Sequence, residues 1–311
     1  MKGEKINIFF AIDENYTPFL AVTLQSLVDN IKSDNDYCIR VLYTKMSEES
    51  KNKIKEYESE KVTIEFVDFS DIMKSFLDKL YTRDYYSKTT YYRLFIPEVY
   101  KDIDKALYID SDVVILDDIA NLYNTDLENN LVGATTDMAV SGIPVFADYV
   151  EKVVGVRSYK NYFNAGVLLM NLKELRNFKF QEKFLMSLNM IKFSVAQDQD
   201  YLNRICKGRV KFFDKNWNRM PLESDIGDEE NVKLIHFNLA YKPWHFENIK
   251  YQEYFWKYAN KTKYVDKIAS IKNSYTKEQA KKDALSHEAL LKLAKDESDC
   301  VGDDRVRGNM Q

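Results

Sequence analysis

Residues 6–12 (INIFFAI) form an unbroken apolar run, the length and character of a strand buried on both faces. Thr17-Pro18 then reads as a helix start, with Thr as N-cap and Pro at the first helical position. Leu20, Leu24, Leu27, Val28 and Ile31 recur behind it at helical spacing. YCIRVLY at 37–43 is a second strand, and Ser47 opens a polar, Lys/Glu-rich surface helix ending near Glu60. VTIEFVDF at 62–69 is a third strand, with Ser70 capping another helix. This β-α-β-α-β rhythm predicts an α/β chain with a mostly parallel sheet and helices on its faces.

Farther on, TTYYRLFIPEVY at 89–100 reads as a helix whose end Pro97 interrupts, and ALYIDSDVVIL at 106–116 as one long strand. LVGATTD (131–137), FNAGVLLMNL (163–172), VKFFD (210–214) and VKLIHF (232–237) read as further strands. Leu172 to Ile191 supplies one helix, and QDQDYLNRICKG another that ends at Gly208. The pattern changes near 249. Residues 250–267 interleave Lys250, Lys257, Lys261, Lys263 and Lys267 with Tyr251, Tyr254, Phe255, Trp256, Tyr258 and Tyr264. A charged helical segment follows from 272, and the tail DESDCVGDDRVRGNMQ is expected to be disordered. The predicted division is an α/β domain over 1–248 and a small helical, Lys/aromatic-rich extension over 249–311.

Composition narrows this picture by exclusion. A chain of 311 residues with 45% hydrophobic residues, nine Gly and five Pro is neither disordered nor collagen-like. Its 45 basic and 49 acidic side chains give a net charge of −4, which excludes a globally basic nucleic-acid binder. Cys38, Cys206 and Cys300 lie far apart with no CxxC, which argues against a disulfide framework or zinc ribbon and for a reducing compartment. The N-terminal apolar stretch is too short for a signal peptide, and no eighteen-residue apolar window exists. The expected address is the cytoplasm.

The chemistry concentrates in ALYIDSDVVIL. In an uninterrupted strand Asp110 and Asp112 share a face, and two such carboxylates repel unless a cation lies between them. At the C-terminal edge of a sheet strand they would form a dication site of oxygen ligands, suited to Mg²⁺ or Mn²⁺ bridging to a phosphate. The plainer alternative is a polar strand end, each Asp hydrogen-bonded and facing solvent.

FFAIDENY, SKTTYYRLFIPEVY, KALYIDSDVVIL, YFNAGVLLMNL, QDQDYLN and HFNLAYKPW occur in this order. Together they resemble glycosyltransferase family 8, the bacterial retaining galactosyl- and glucosyltransferases related to glycogenin. The resemblance runs from about Ile6 to about Trp244. It implies a GT-A fold, with a Rossmann-like sheet, and transfer of a hexose (glucose or galactose) from a UDP-sugar to a glycan or glycolipid. Mn²⁺ is the implied cofactor, with Mg²⁺ as its substitute.

By the same resemblance, Ala11, Asp13, Asn15 and Tyr16 form the uridine-binding turn, although Asp13 could equally cap the next helix. Arg93 reaches the donor sugar, with Asp110 as its expected partner because an unpaired buried Arg is costly. Asp110, Asp112 and His236 would be the metal ligands, with Ser111 beside them in the donor site. Lys242 would hold the diphosphate and stabilise the leaving group. Leu239 stands where the family has Gly, which would alter the local loop. Asn164, Ala165 and Gly166 are placed on the acceptor-side strand, Gly166 leaving room for a sugar ring. Asp198 and Gln199, joined by Asp137, would grip the donor sugar, while Asp200 reads more simply as an acidic residue at a helix N-terminus. With Gln199 where a nucleophilic carboxylate would sit, front-face substitution is the expected mechanism.

Two other readings remain open at this level. IDSDVV also resembles the motif of haloacid-dehalogenase-type phosphohydrolases, and a GT-A domain could bind a UDP-sugar without catalysis. The segment 250–267 could contact a membrane surface peripherally at its inner face, or its rings could simply close the core. Nothing in the sequence sets the oligomeric state.

Overall fold

The computed structural model describes residues 3–76, 80, 88–222, 229–238 and 240–301. Its strands are β1 (Lys5–Ala11), β2 (Asp36–Tyr43), β3 (Val62–Asp68), β4 (Lys105–Ile109), β5 (Val113–Ile115), β6 (Val132–Ala134), β7 (Val167–Asn171), β8 (Val210–Phe212) and β9 (Leu234–His236). Among the described residues one sheet runs in the order β3-β2-β1-β4-β7-β6-β8, and β5 and β9 pair separately. β3, β2, β1 and β4 are parallel, as the rhythm predicts, whereas β7 runs antiparallel to both β4 and β6.

Alternation along each central strand divides the interior into two cores. Ile6, Ile8 and Phe10 of β1 face one layer and Phe9 the other. β4 repeats this with Leu107 and Ile109 against Ala106 and Tyr108, and β7 with Val167 and Leu169 against Leu168 and Met170. A strand buried on both faces has no need of polar alternation, which is why these segments read as continuous apolar runs.

The structure departs from the sequence reading at several termini. Thr17 is the first residue of helix Thr17–Asp29 rather than its cap, and Ser70 likewise opens Ser70–Lys74 without capping it. Ser47 does cap, accepting the Ser50 N–H, but its helix ends at Lys55. Residues 88–94 form a 3₁₀ turn, and Pro97 lies in the first turn of the short helix Ile96–Val99 instead of ending a longer one. Pro fits there because a first-turn N–H has no intrahelical acceptor to lose. The helix expected over 172–191 is two helices, Leu172–Asn177 and Phe180–Met190, separated by Lys179 in the left-handed conformation.

The largest correction falls on 106–116. This run is not one strand: β4 ends at Ile109, β5 begins at Val113, and the two belong to different sheets. Asp110, Ser111 and Asp112 form the connection, so the alternation argument for their common face does not apply. The turn is held instead by polar groups. Asp110 N–H donates to Gly166 O (2.8 Å) and Phe237 N–H to Asp112 O (2.9 Å). From the buried side of helix Thr17–Asp29, Thr23 Oγ1 donates to Ser111 O (3.0 Å) and Val113 O (2.8 Å).

The chain beyond 248 packs on both layers. Phe255 of helix Gln252–Ala259 lies against Phe237 and Trp244, and Trp244 stacks on Phe19 with ring centres 3.9 Å apart. Tyr251, Phe255, Tyr258 and Tyr264 are buried, so these rings close the first core. Lys250, Lys261 and Lys263 pair with Glu229, Asp29 and Glu56. The tail is ordered farther than expected: DESDC is helical to Cys300, within Lys277–Cys300, which packs on helix Pro144–Tyr149 and buries Ala294. No helix among the described residues is long and apolar enough to cross a membrane.

Candidate functional site

A cavity of about 190 Å³ opens over the C-terminal ends of β1 and β4. Ala11 and Tyr16 line it near β1, and Arg93, Asp110, Ser111, Asp112, His236 and Lys242 line its charged part. Asp137, Asn164, Ala165, Gly166, Asp198 and Gln199 line the remainder. Two expected residues of the uridine turn are not in the lining. Asp13 Oδ1 accepts the N–H groups of Asn15 (2.9 Å) and Tyr16 (3.2 Å), the capping role weighed above, and Asn15 is exposed. Leu239 lies outside the described residues, while its neighbour Asn238 lines the cavity.

At the charged end, one ligand-type atom from each of Asp110, Asp112 and His236 falls within 4.8 Å of the others. His236 Nε2 is 3.3 Å from Asp112 Oδ1 and 3.8 Å from Asp110 Oδ2. Asp112 Oδ1 is a buried atom with no hydrogen-bond partner among the described residues, which is costly for a carboxylate unless a cation sits against it. Its other oxygen takes Lys242 Nζ at 2.5 Å, and Lys242 also donates to Phe237 O. Burial alone would push the Asp112 carboxyl up, but Lys242 and His236 outweigh it and hold the group well below the usual carboxylate range. Gly166 explains how these groups fit so closely. A Cβ there would lie 2.2 Å from His236 Cε1 and 2.7 Å from Asp110 Oδ2, so the room that Gly166 leaves is taken by these two side chains rather than left open for a sugar ring. The donor set of two carboxylates and an imidazole fits a divalent ion such as Mn²⁺.

Arg93 joins the two ends. It is 5% exposed, 3.4 Å from Asp110 Oδ1 and 2.9 Å from Asp198 Oδ2, with its guanidinium 4.3 Å from the Tyr108 ring centre. The expected partner Asp110 is confirmed, and Asp198 is added to it. Burial opposes the charge on Arg93, but Asp110 and Asp198 prevail and hold its pKa above the ordinary value. Thr90, which sequence reasoning passed over, donates to Asp198 Oδ1 and accepts from Arg93 Nη2 (2.8 Å). Asp198 Oδ2 makes its short approach to Arg93 without hydrogen-bond alignment. Burial is the largest influence on this carboxyl, and despite Arg93 its pKa is pushed up to about 6.

The polar far end is a closed network. Asp137 Oδ1 caps helix Met138–Gly142, accepting from Ala139 N–H and Val140 N–H, while Oδ2 takes Asn164 Nδ2 (3.0 Å) and Gln199 Nε2 (3.0 Å). Gln199 Oε1 accepts Ala165 N–H at 2.9 Å. Beneath it, Asp200 is fully buried, accepting from Tyr162 OH (2.7 Å), Tyr149 OH (2.9 Å) and Ala196 N–H (2.9 Å). Asp200 is therefore not a solvated helix-end charge but an internal anchor, and burial pushes its pKa up to about 7. The preceding Gln197 has φ +52° and ψ −116°, a strained backbone for a non-glycine residue, at the start of helix Asp198–Cys206. Val140, Phe146, Val195 and Leu290 complete an apolar wall, Leu290 coming from the C-terminal helix.

These features have counterparts among known proteins. Residues 7–248 match the model for glycosyl transferase family 8. A Haemophilus influenzae protein with a provisional glycosyltransferase name is 34% identical over 75% of this chain and 69% of its own. The lipopolysaccharide 1,2-glucosyltransferase of Escherichia coli K12 is 28% identical, over 80% of this chain and 77% of the enzyme. Among solved structures, the galactosyltransferase LgtC, in complex with donor and acceptor sugar analogues, superposes with a TM-score of 0.69 at 28% identity. That superposition covers 83% of this chain and 96% of LgtC, whose GT-A fold this chain shares. The phosphohydrolase alternative finds no counterpart in these relatives. From the matched blocks, the sheet and the acidic cavity together, it follows that this chain is a member of glycosyltransferase family 8.

Proposed function

We propose that the protein transfers a hexose, glucose or galactose, from a UDP-sugar to a glycan or glycolipid acceptor with retention of anomeric configuration, using Mn²⁺. The supporting observation is that a cation-ready cluster and a hydroxyl-binding network share one cavity and are bridged by Arg93. When bound at Asp110, Asp112 and His236, a divalent ion would offset the charge of the donor's diphosphate. Lys242, buried beside Asp112, brings a second positive charge to the same end, where negative charge grows on a departing nucleoside diphosphate.

Front-face substitution is supported by how Gln199 is held. Its Oε1 accepts Ala165 N–H and its Nε2 donates to Asp137 and Tyr162 OH, which orients a neutral amide, a poor nucleophile, in the cavity. Asp137, Asn164 and Gln199 are carboxylate and amide groups of the kind that bind sugar hydroxyls, which they would do by exchanging bonds within their network, and Arg93 sets positive charge beside Asp198. The span 1–248 is proposed to carry this chemistry, and 249–311 to cover it. Any membrane contact through 250–267 would rest on lysines, since most of the rings are turned inward.

A screen of UDP release over several UDP-sugars, with and without Mn²⁺, tests the proposal. Release with one hexose donor, abolished by chelation and increased by a sugar acceptor, is the expected outcome. Mn²⁺-dependent binding with no release or transfer for any donor would leave a non-catalytic UDP-sugar-binding protein instead.

A further inference from the structure

The structure assigns to Asn218 the task of setting which ring nitrogen of His236 faces the cation site, and of tying that histidine to the sugar end. Asn218 ends the 3₁₀ turn Lys215–Asn218 after β8, and it is 1% exposed. Its Oδ1 lies 2.9 Å from His236 Nδ1, and its Nδ2 donates to Asn164 Oδ1 at 3.0 Å.

The direction of this relay follows from groups that cannot reverse their roles. Gly166 N–H can only donate, and it donates to Asn164 Oδ1 at 2.9 Å. Asp137 Oδ2 accepts from Asn164 Nδ2 at 3.0 Å, the amide nitrogen left once Oδ1 is fixed by Gly166. Asn164 is thereby oriented at both ends, and the atom of Asn218 facing its Oδ1 must be a donor. Asn218 Oδ1 then faces His236, whose Nδ1 must carry the proton in either charge state of the ring. Nε2 is left to point at Asp110 and Asp112. A ligating histidine held through its other nitrogen is a preorganised ligand, and losing such a partner costs about 10- to 100-fold in metal affinity. Asn218 is a positioning residue here, and its second arm makes the ligand and the sugar-binding Asp137–Asn164 pair one connected unit.

This inference rests on the proposed cation site, so its test includes a measurement independent of it. In ¹⁵N-histidine spectra of the metal-free protein, assigned with His236→Gln, the neutral ring of His236 should carry its proton on Nδ1. Mn²⁺ titration by electron paramagnetic resonance should show affinity about 10- to 100-fold weaker in Asn218→Ala. Asn218→Asp keeps an acceptor for Nδ1–H and should restore that affinity. Lacking the donor to Asn164, it should still raise KM for the UDP-sugar. A merely structural Asn218 would harm both variants alike. Equal losses in the two variants, unchanged Mn²⁺ affinity in Asn218→Ala, or a bare Nδ1 in the wild type would each overturn the assignment. A protonated Nδ1 in a wild type that binds no Mn²⁺ would support the relay while removing the cation site.

Discussion

Asp112, largely enclosed, and Asp198, buried, line the same cavity, yet their carboxyls are displaced in opposite directions. Burial raises both. At Asp112 it is overcome by Lys242 on one oxygen and His236 near the other, with no second carboxylate sharing Lys242 among the described residues. At Asp198 the compensating charge is Arg93, which is divided with Asp110, and Asp110 itself disfavours a further negative charge. One end of the cavity is therefore held ionised. At the other, burial raises the Asp198 carboxyl to about 6, and its negative charge is offset by Arg93, which it shares with Asp110.

Removing the ionised end should have the largest effect. Asp112→Asn keeps shape but deletes the charge, and kcat/KM for UDP-sugar consumption should fall by about 10³-fold with loss of Mn²⁺ binding. Transfer at wild-type rate in this variant would show that the two ends do not divide the work as described. A smaller loss is expected at the other end. Gln199→Ala should lower kcat yet leave residual transfer with retained configuration, read by NMR of the product. Abolished turnover with a glycosyl adduct trapped on Asp198 would instead make that carboxylate a nucleophile.

The smallest effect concerns the anchor under that second end. Asp200 faces Tyr149, Tyr162 and Ala196 N–H, with Glu297 of the C-terminal helix adding like charge. Its folded pKa, about 7, lies above the ordinary 3.8. The corresponding stability is present below the ordinary value and is lost as pH rises through about 7. The Tm of the wild type should therefore fall by several degrees over that interval, and Asp200→Asn should flatten the slope. A slope unchanged by the substitution would place the titration elsewhere.

Legibility differed between these two ends. Asp110, Asp112, Arg93, His236 and Lys242 stand in motifs whose residue types announce charge chemistry, and the fold gathers all five. Thr90, Tyr108 and Asn218 carry no such signal, because an isolated hydroxyl or amide is common on any surface. Asp200 does stand in the first turn of its helix, as its sequence context indicates, but its burial against Tyr149 and Tyr162 carries no local signal, because an acidic residue there looks alike whether solvated or buried.

What the amino-acid sequence determined by itself was the repeating strand and helix pattern of the first half and the order of the motifs. Both are local, since a strand buried on two faces must be apolar throughout, and a helix must repeat its apolar positions every three to four residues. Tertiary structure alone decided that 106–116 breaks between two sheets, because β5 leaves the main sheet to pair with β9. It likewise decided that the rings beyond 249 turn inward and that Gly166 yields its space to His236 and Asp110. Each of these depends on which distant segment comes to lie alongside, a matter settled by packing and by the pairing of buried polar groups rather than by any neighbouring residue.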